Sequence, residues 1–316
     1  MQNSDRVKVI TAQNAGFCFG VRRAVDTVND LRKKTDKRIY TIGELIHNRI
    51  FVERLEKENI FVVEEEDLPK LKDEKDEIVL VVRAHGIKKE IIEYLEDNGF
   101  TYINATCPYV ERIHEIVDKN TRDAKICVIM GDKKHPEVVG TKSYSHCPSF
   151  VCSDEPELAE TLNGNLTNFE ECFVLTSQTT YNNEKYVNCQ KLAEKLYTNS
   201  KIFDTICSVT EKRQNEVVQL AQKCDCMLVV GGKKSSNTKK LFEISAGYCK
   251  STYLIEKADD ICESEVSKLC KAKLSQKNAV FTVGITAGAS TPDDILEEVK
   301  AGVTVIVQAA SGETTT

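Results

Sequence analysis

The chain has 316 residues, a net charge of −6 at pH 7, 41% hydrophobic residues and 29% charged residues. These values are ordinary for a globular protein, and the acidic balance argues against a general nucleic-acid surface. No apolar run approaches the roughly 18 residues of a membrane span, and the first residues lack a signal-peptide core. We therefore expect a cytoplasmic, enzyme-sized protein with no nucleic-acid or membrane partner.

The same order of elements is predicted three times along the chain. An amphipathic helix follows Cys18, and strands then occur in IYTIGELIHN, FVVEEEDLPKL and VLVVRAHG. A second helix follows Cys107, before strands in ICVIMGDKKHPE, FVCSDEPELAETL and FVLTSQTTY. A third follows Cys207, before strands in MLVVGGKKSSN, TYLIEKADDIC and VFTVGITAGAS. Strands that alternate with helices predict parallel sheets built from βαβ units.

A polar loop follows each cysteine at a nearly constant spacing. The spacings are 29 residues from Cys18 to His47, 28 from Cys107 to His135 and 28 from Cys207 to Ser235. This recurrence predicts an α/β protein of three similar units with small parallel sheets, arranged in pseudo-threefold fashion around a central cluster.

The predicted boundaries of the three units follow the cysteines. We expect a first α/β unit at 1–105, a second at 106–205 and a third at 206–316, the last with a C-terminal helix and a polar tail. Units of roughly 100 residues match the usual size of a domain.

The three repeated cysteines indicate a metal or cluster site. A helix N-terminus stabilises the thiolate form, and three thiolates favour a soft metal or an iron–sulfur cluster. A [4Fe–4S] cluster held by Cys18, Cys107 and Cys207 leaves one iron able to bind a substrate oxygen. A zinc site needs a fourth protein ligand instead, and a histidine could supply it.

The predicted strand ends are rich in hydrogen-bond donors. Hydroxyl, amide and imidazole groups together can hold the oxygens of a diphosphate, because each can donate to an anionic oxygen. The candidates are His47, His85, His135, Gln178, Thr179, Thr180, Ser235, Ser236, Asn237 and Ser290.

Glu137 is the best-placed carboxylic acid in the sequence. It lies two residues after His135, in the loop GDKKHPEVVG. A reaction that expels hydroxide at neutral pH gains from a proton donor at the leaving oxygen, which a carboxyl group with a raised pKa can supply. Glu137 is therefore a candidate general acid.

These motifs together resemble a known family. The segments AGFCFGV, GELIHN, RAHG, ATCP, GDKKHPEV, SQTTY, TICSVTEKRQ, GGKKSSNT and ITAGAS are similar to those of the 4-hydroxy-3-methylbut-2-enyl diphosphate reductase family, also called IspH or LytB. The resemblance runs from about Ala15 to Pro292 and includes motifs from all three repeats.

The resemblance implies one [4Fe–4S] cluster per chain, held by Cys18, Cys107 and Cys207. It implies reductive dehydroxylation of an allylic diphosphate to isopentenyl and dimethylallyl diphosphate, the last step of the non-mevalonate pathway, with electrons from ferredoxin or flavodoxin. By similarity Glu137 relays protons and Thr179 helps to orient the substrate. The other donors named above then bind the diphosphate or lie nearby.

Two other functions share some of these features. A non-redox dehydratase would use a three-cysteine cluster only as a Lewis acid, and would turn over without a reductant. A zinc-stapled phosphate-binding module would use a histidine to complete its metal site. Metal content and the need for a reductant separate the three hypotheses.

Overall fold

The computed structural model describes residues 6–312, so the end of the predicted polar tail lies outside them. The strands are β1 (Val7–Thr11), β2 (Arg38–Ile42), β3 (Ile60–Val63), β4 (Ile78–Val82), β5 (Tyr102–Asn104), β6 (Ile126–Met130), β7 (Ser149–Cys152), β8 (Phe173–Ser177), β9 (Ser200–Ile202), β10 (Cys226–Val230), β11 (Thr252–Ile255) and β12 (Phe281–Ala287). The α-helices are α1 (Phe19–Lys34), α2 (Arg49–Lys57), α3 (Lys89–Asp97), α4 (Pro108–Asn120), α5 (Pro136–Ser143), α6 (Glu155–Asn165), α7 (Asn183–Leu196), α8 (Ser208–Ala221), α9 (Ser236–Tyr248), α10 (Glu263–Leu274) and α11 (Asp293–Ser311). Short 3₁₀ helices lie at Glu65–Glu74 and Ala258–Asp260.

The chain folds into two compact bodies. The first body contains residues 6–18, 47–49 and 208–312, and the second contains residues 19–46 and 50–207. The first body has a four-stranded sheet of order β1-β12-β10-β11, in which every neighbouring pair is parallel.

The second body has two further sheets of the same kind. Their strand orders are β3-β2-β4-β5 and β7-β6-β8-β9, and all of their pairs are parallel. The prediction of an α/β protein with three small parallel sheets is therefore confirmed.

An edge strand precedes each of the repeated cysteines. The short strands β5 and β9 precede Cys107 and Cys207, and each pairs with the last long strand of the repeat before it. In the same way β1 precedes Cys18, but it pairs with β12 near the other end of the chain. The predicted division places β1 in the first unit, whereas its hydrogen bonds are to a strand of the third. The three-unit division and the pseudo-threefold arrangement stay predictions.

Four of the inner strands are buried along their whole length. All residues of β4, β6, β8 and β10 are buried, which is the usual pattern of a parallel sheet. Helix α1 buries Val21, Val25 and Val28 at helical spacing on one face. In this arrangement the carboxyl ends of the strands of a sheet lie at one edge, where the polar loops follow.

No helix within residues 6–312 is both long enough and apolar enough to cross a membrane.

We expect Leu80→Ala to destabilise the second body. Leu80 is fully buried in β4, and such a truncation costs about 2–5 kcal/mol of unfolding free energy, because it removes apolar contacts and leaves a cavity. Leu196→Ala is the matched control, since Leu196 is 39% exposed at the end of α7. Urea unfolding followed by circular dichroism measures both. A control loss as large as that of Leu80→Ala would contradict the assignment of Leu80 to a packed core.

Candidate functional site

The three repeated cysteines lie where helices begin. Cys18 directly precedes α1, Cys207 directly precedes α8, and Cys107 is the N-cap residue of α4. All three thiols are partly exposed, and none forms a disulfide. The carbonyl of Cys107 accepts hydrogen bonds from the backbone N–H groups of Val110 and Glu111 at 2.8 and 3.0 Å. The positive end of a helix dipole favours the thiolate form that binds metal.

In the second body, Cys107 lies close to the loop of His85. The backbone N–H of Cys107 donates to the carbonyl of Ala84 at 3.0 Å, directly before His85. The ring of His85 contacts the ring of His135 edge to face, with centroids 5.5 Å apart. Strand β4 ends before His85 and the Cys107 turn follows β5, which is next to β4. The pairing of β4 with β5 thus brings the predicted cluster ligand Cys107 close to the loop of the predicted anion-binding residue His85.

His135 is the N-cap residue of α5. Its Nδ1 accepts a hydrogen bond from the backbone N–H of Glu137 at 3.2 Å. Because Nδ1 is an acceptor, the neutral ring carries its proton on Nε2. An imidazole N–H is a group of the kind that can donate to an anion at a helix N-terminus.

Glu137 is 2% exposed, although it is a carboxylic acid. Oε1 accepts from the backbone N–H of Thr179 at 2.6 Å, and Oε2 accepts from the Thr179 hydroxyl at 2.7 Å. Burial raises the pKa of Glu137 to about 7, and the two bonds from Thr179 oppose the rise. The carboxyl group can therefore both hold and release a proton near neutral pH.

Thr179 connects Glu137 with the third cysteine. Its carbonyl accepts a hydrogen bond from the backbone N–H of Cys207 at 3.1 Å. Beside it, Nε2 of Gln178 donates to the hydroxyl of Thr180 at 2.8 Å, and Oε1 of Gln178 accepts from the backbone N–H of Asp132 at 3.2 Å. The loop after β8 therefore holds the Cys207 backbone and the acid Glu137 in one network.

In the first body, Cys18 is held by the loop after β12. Its backbone N–H donates to the carbonyl of Ala289 at 3.2 Å. The hydroxyl of the next residue, Ser290, donates to the carbonyl of His47 at 3.2 Å. Gly232 packs so closely against the carbonyl of His47 that a side chain there would clash with it.

The N-terminus of α9 carries three further predicted residues. Ser235 is its N-cap and accepts a hydrogen bond from the backbone N–H of Thr238 at 3.3 Å. Ser236 begins the helix and is half-buried. Asn237 is 3% exposed, and within residues 6–312 its amide nitrogen has no hydrogen-bond partner. A buried donor without a partner is costly unless a ligand satisfies it, so this helix end suits an anion.

Two residues near the site were not predicted as part of it. Gly20 lies against Cys107, and a Cβ atom there would overlap Sγ. Thr205 donates its hydroxyl to the carbonyl of Ser177 at 2.9 Å and accepts from the backbone N–H of Ser177 at 2.7 Å, which fixes the end of β8. A glycine at the start of a helix pattern is a weak sequence signal for close packing. Thr205 lies in the motif TICSVTEKRQ, but nothing in the sequence indicated its contact with Ser177.

Comparison with known proteins assigns the chain to a family. Residues 9–304 match the family model of the LytB protein. The chain belongs to the LytB family. Relatives named 4-hydroxy-3-methylbut-2-enyl diphosphate reductase include one from Caldanaerobacter subterraneus, 39% identical over 93% of this chain and 95% of its own, and one from Clostridium perfringens, 42% identical over 92% and 96%.

A solved structure of a LytB-family enzyme has the same fold. It is described as (E)-4-hydroxy-3-methyl-but-2-enyl diphosphate reductase, the terminal enzyme of the non-mevalonate pathway. It is 35% identical, covers 95% of this chain and 99% of its own, and has a TM-score of 0.66. Every predicted site residue lies inside the stretch that matches the LytB family model.

The pKa of Glu137 predicts a pH-dependent stability. Its ordinary value is 4.5, and the folded value is about 7. As pH rises through this window, the unfolded chain releases the proton while the folded protein keeps it, so the free energy of unfolding falls. Glu137→Gln has no such group. The stability of the wild type relative to the variant should therefore be greatest at acidic pH and decline between pH 4.5 and about 7.

This expectation is tested by urea unfolding of both proteins from pH 4 to pH 8, in steps of about half a pH unit. A constant difference between the two proteins over that range would contradict the raised pKa of Glu137.

Proposed function

We propose that this LytB-family chain is a 4-hydroxy-3-methylbut-2-enyl diphosphate reductase. It converts the allylic diphosphate to isopentenyl and dimethylallyl diphosphate, taking up two electrons and two protons and releasing water. The single observation that supports the proposal most directly is the buried Glu137 carboxyl group. It is bonded to Thr179, whose carbonyl holds the backbone of Cys207. An acid with a pKa near 7 is thereby fixed beside one of the repeated cysteines.

We propose that Cys18, Cys107 and Cys207 hold one [4Fe–4S] cluster. The donor set fits this cofactor, because the three thiols are partly exposed and located at helix N-termini. Gly20, which leaves space at the Sγ atom of Cys107, fits it as well. When bound, the cluster would supply electrons and a Lewis-acidic iron for the substrate hydroxyl.

The diphosphate is the part of the substrate to which this chain can offer the most hydrogen-bond donors. In the second body, His135 offers its Nε2–H, with His85 against its ring. In the first body, the N-terminus of α9 offers the amide of Asn237 with the hydroxyls of Ser235 and Ser236, and His47 and Ser290 lie on the neighbouring loops. We propose that these donors bind the diphosphate, with Gln178 and Thr180 nearby. This binding energy would position the small allylic group for reaction.

Glu137 and Thr179 would deliver the proton that the leaving hydroxyl needs. When Glu137 is protonated, its Oε2–H can donate to the Thr179 hydroxyl, which lies 2.7 Å away. That hydroxyl can then donate its own proton to a substrate oxygen. Burial of both side chains keeps competing water away from this path.

The proposed reaction needs an external source of two electrons. We propose a small electron-transfer protein of the ferredoxin or flavodoxin kind for this role, as the resemblance implies.

Anaerobic turnover with a chemical reductant and the allylic diphosphate tests the function directly. We expect a brown protein with about four irons per chain that forms both products only when the reductant is present. A colourless zinc protein would contradict the proposal, and so would turnover without any reductant.

We expect Glu137→Gln to keep the cofactor and to bind substrate, yet to lose about 10²- to 10⁴-fold in kcat, since general acid catalysis is typically of that size. Glu160→Gln is the matched control, because Glu160 is an exposed carboxylate of α6 in the same body. Steady-state kinetics with iron analysis of both variants gives the comparison. A near-normal kcat in Glu137→Gln would remove this residue from the proton path.

We expect Gly20→Ala to lower the iron content. The new methyl group would overlap Sγ of Cys107, so that the thiolate has to move from its position. Gly164→Ala in α6 is the matched control, because no atom lies within 4 Å of the position of its Cβ. Iron and sulfide are measured after anaerobic reconstitution. Equal contents in the two variants would show that the position of Cys107 does not limit cluster binding.

A further inference from the structure

Arg213 is a buried arginine in the first body that the proposed mechanism does not use. It lies in α8 and is only 4% exposed. One end of its guanidinium donates to the carbonyl of Gly16 at 2.7 Å, and the other end donates to the carbonyl of Ala287 at 3.0 Å. A buried charge is costly to desolvate, so a guanidinium in this position has to be held by hydrogen bonds.

The two carbonyls lie on either side of the Cys18 backbone. Gly16 is two residues before Cys18 and has a φ of +90°, which places a tight turn there. Ala287 ends β12 and leads to Ala289, whose carbonyl accepts the backbone N–H of Cys18. Arg213 therefore bridges the two segments of chain that determine where Cys18 lies.

Glu216 holds the beginning of the same turn. It lies one helical turn after Arg213, and its carboxylate accepts from the backbone N–H of Gln13 at 2.5 Å and from that of Asn14 at 3.0 Å. It also accepts from the side-chain amide of Asn14 at 2.8 Å. Helix α8 thus holds this turn with two side chains. The Glu216 carboxylate accepts from backbone N–H groups of the turn, and the Arg213 guanidinium donates to the carbonyl of Gly16.

A similar contact occurs in the second body at another cysteine. Arg23 is half-buried in α1, and its Nη1 donates to the carbonyl of Thr106 at 2.8 Å. Thr106 directly precedes Cys107. The two contacts are alike. Each arginine lies in the second turn of a helix that directly follows one repeated cysteine, and each donates to the backbone just before a different repeated cysteine. The corresponding arginine of α4, Arg112, is exposed.

We propose that Arg213 and Arg23 are positioning residues that hold Cys18 and Cys107 where they bind the cluster. The inference rests on the proposed function, because it assumes that these thiolates are cluster ligands. Arginine suits the role because its planar fork can donate in two directions at once, whereas lysine offers a point charge on a flexible stem. Neither arginine contacts the reacting atoms in this role.

The test compares three arginine-to-lysine variants as full-length, anaerobically reconstituted proteins. Arg213→Lys and Arg23→Lys keep the positive charge but lose the fork. Arg6→Lys is the matched control, because Arg6 also binds backbone carbonyls in the first body, those of Leu274 and Gln276, but lies before β1 at the other end of the strand. The measurements are the rate of iron release to an excess chelator, the electron paramagnetic resonance spectrum of the reduced cluster and the thermal midpoint of the apoprotein.

We expect Arg213→Lys and Arg23→Lys to release iron about tenfold faster than the wild type, the size expected from losing a hydrogen bond to a charged group. Their spectra should also shift. Arg6→Lys should release iron at the wild-type rate with an unchanged spectrum, even if its thermal midpoint falls as far as those of Arg213→Lys and Arg23→Lys. Glu216→Gln, at a partly exposed site, should release iron faster than the control because a neutral amide holds the turn less firmly.

Wild-type release rates and spectra in Arg213→Lys, Arg23→Lys and Glu216→Gln would overturn the inference while leaving the proposed function intact. Release from Arg6→Lys as fast as from the other two lysine variants would also overturn it, because the effect would then follow general stability. A wild-type protein that binds no cluster would instead overturn the proposed function and this inference together.

Discussion

Burial of the Glu137 carboxyl group is the constraint that organises the second body around its chemistry. A carboxylate without solvent needs hydrogen-bond donors, and the backbone N–H and hydroxyl of Thr179 supply them. Those donors are in reach only because β6 and β8 are parallel neighbours whose ends lead into α5 and into the Thr179 loop. The carbonyl of Thr179 also accepts the backbone N–H of Cys207, so one loop links the sheet, the acid and the Cys207 backbone.

The first body meets a different requirement with side-chain donors at a helix N-terminus. The α9 N-terminus presents hydroxyls and the amide nitrogen of Asn237, which has no hydrogen-bond partner among residues 6–312. Such donors suit an anion better than a proton transfer. The backbone N–H of its cysteine, Cys18, donates to the carbonyl of Ala289 in the loop after β12. The repeats therefore share a fold but differ in chemistry, and only the second contributes a buried acid among the residues predicted for the site.

Helices could be predicted because their apolar residues recur about every 3.6 residues, as in α1. Long strands could be predicted where they are continuous runs of apolar residues, as in β4. The three-residue strands β5 and β9 were missed, since so few residues carry no periodic signal. The partner of β1 could not be predicted, because its pairing with β12 joins the two ends of the chain. Arg213 was overlooked for a related reason. A charged residue on a helix is usually exposed, and only the carbonyls of distant segments make its burial tolerable.

The sequence by itself determined the class of fold, the three repeated cysteines at helix starts and the resemblance to the LytB family, because these depend on local periodicity, spacing and motif identity. It also proposed Glu137 as an acid from its place beside His135. Only the tertiary structure decided that this carboxyl group is buried, that Thr179 bonds both of its oxygens and that its pKa lies near 7. The pKa of a carboxyl group depends on how much solvent folding removes and on which hydrogen-bond donors folding brings near. Neither can be predicted from the residues that neighbour it in sequence.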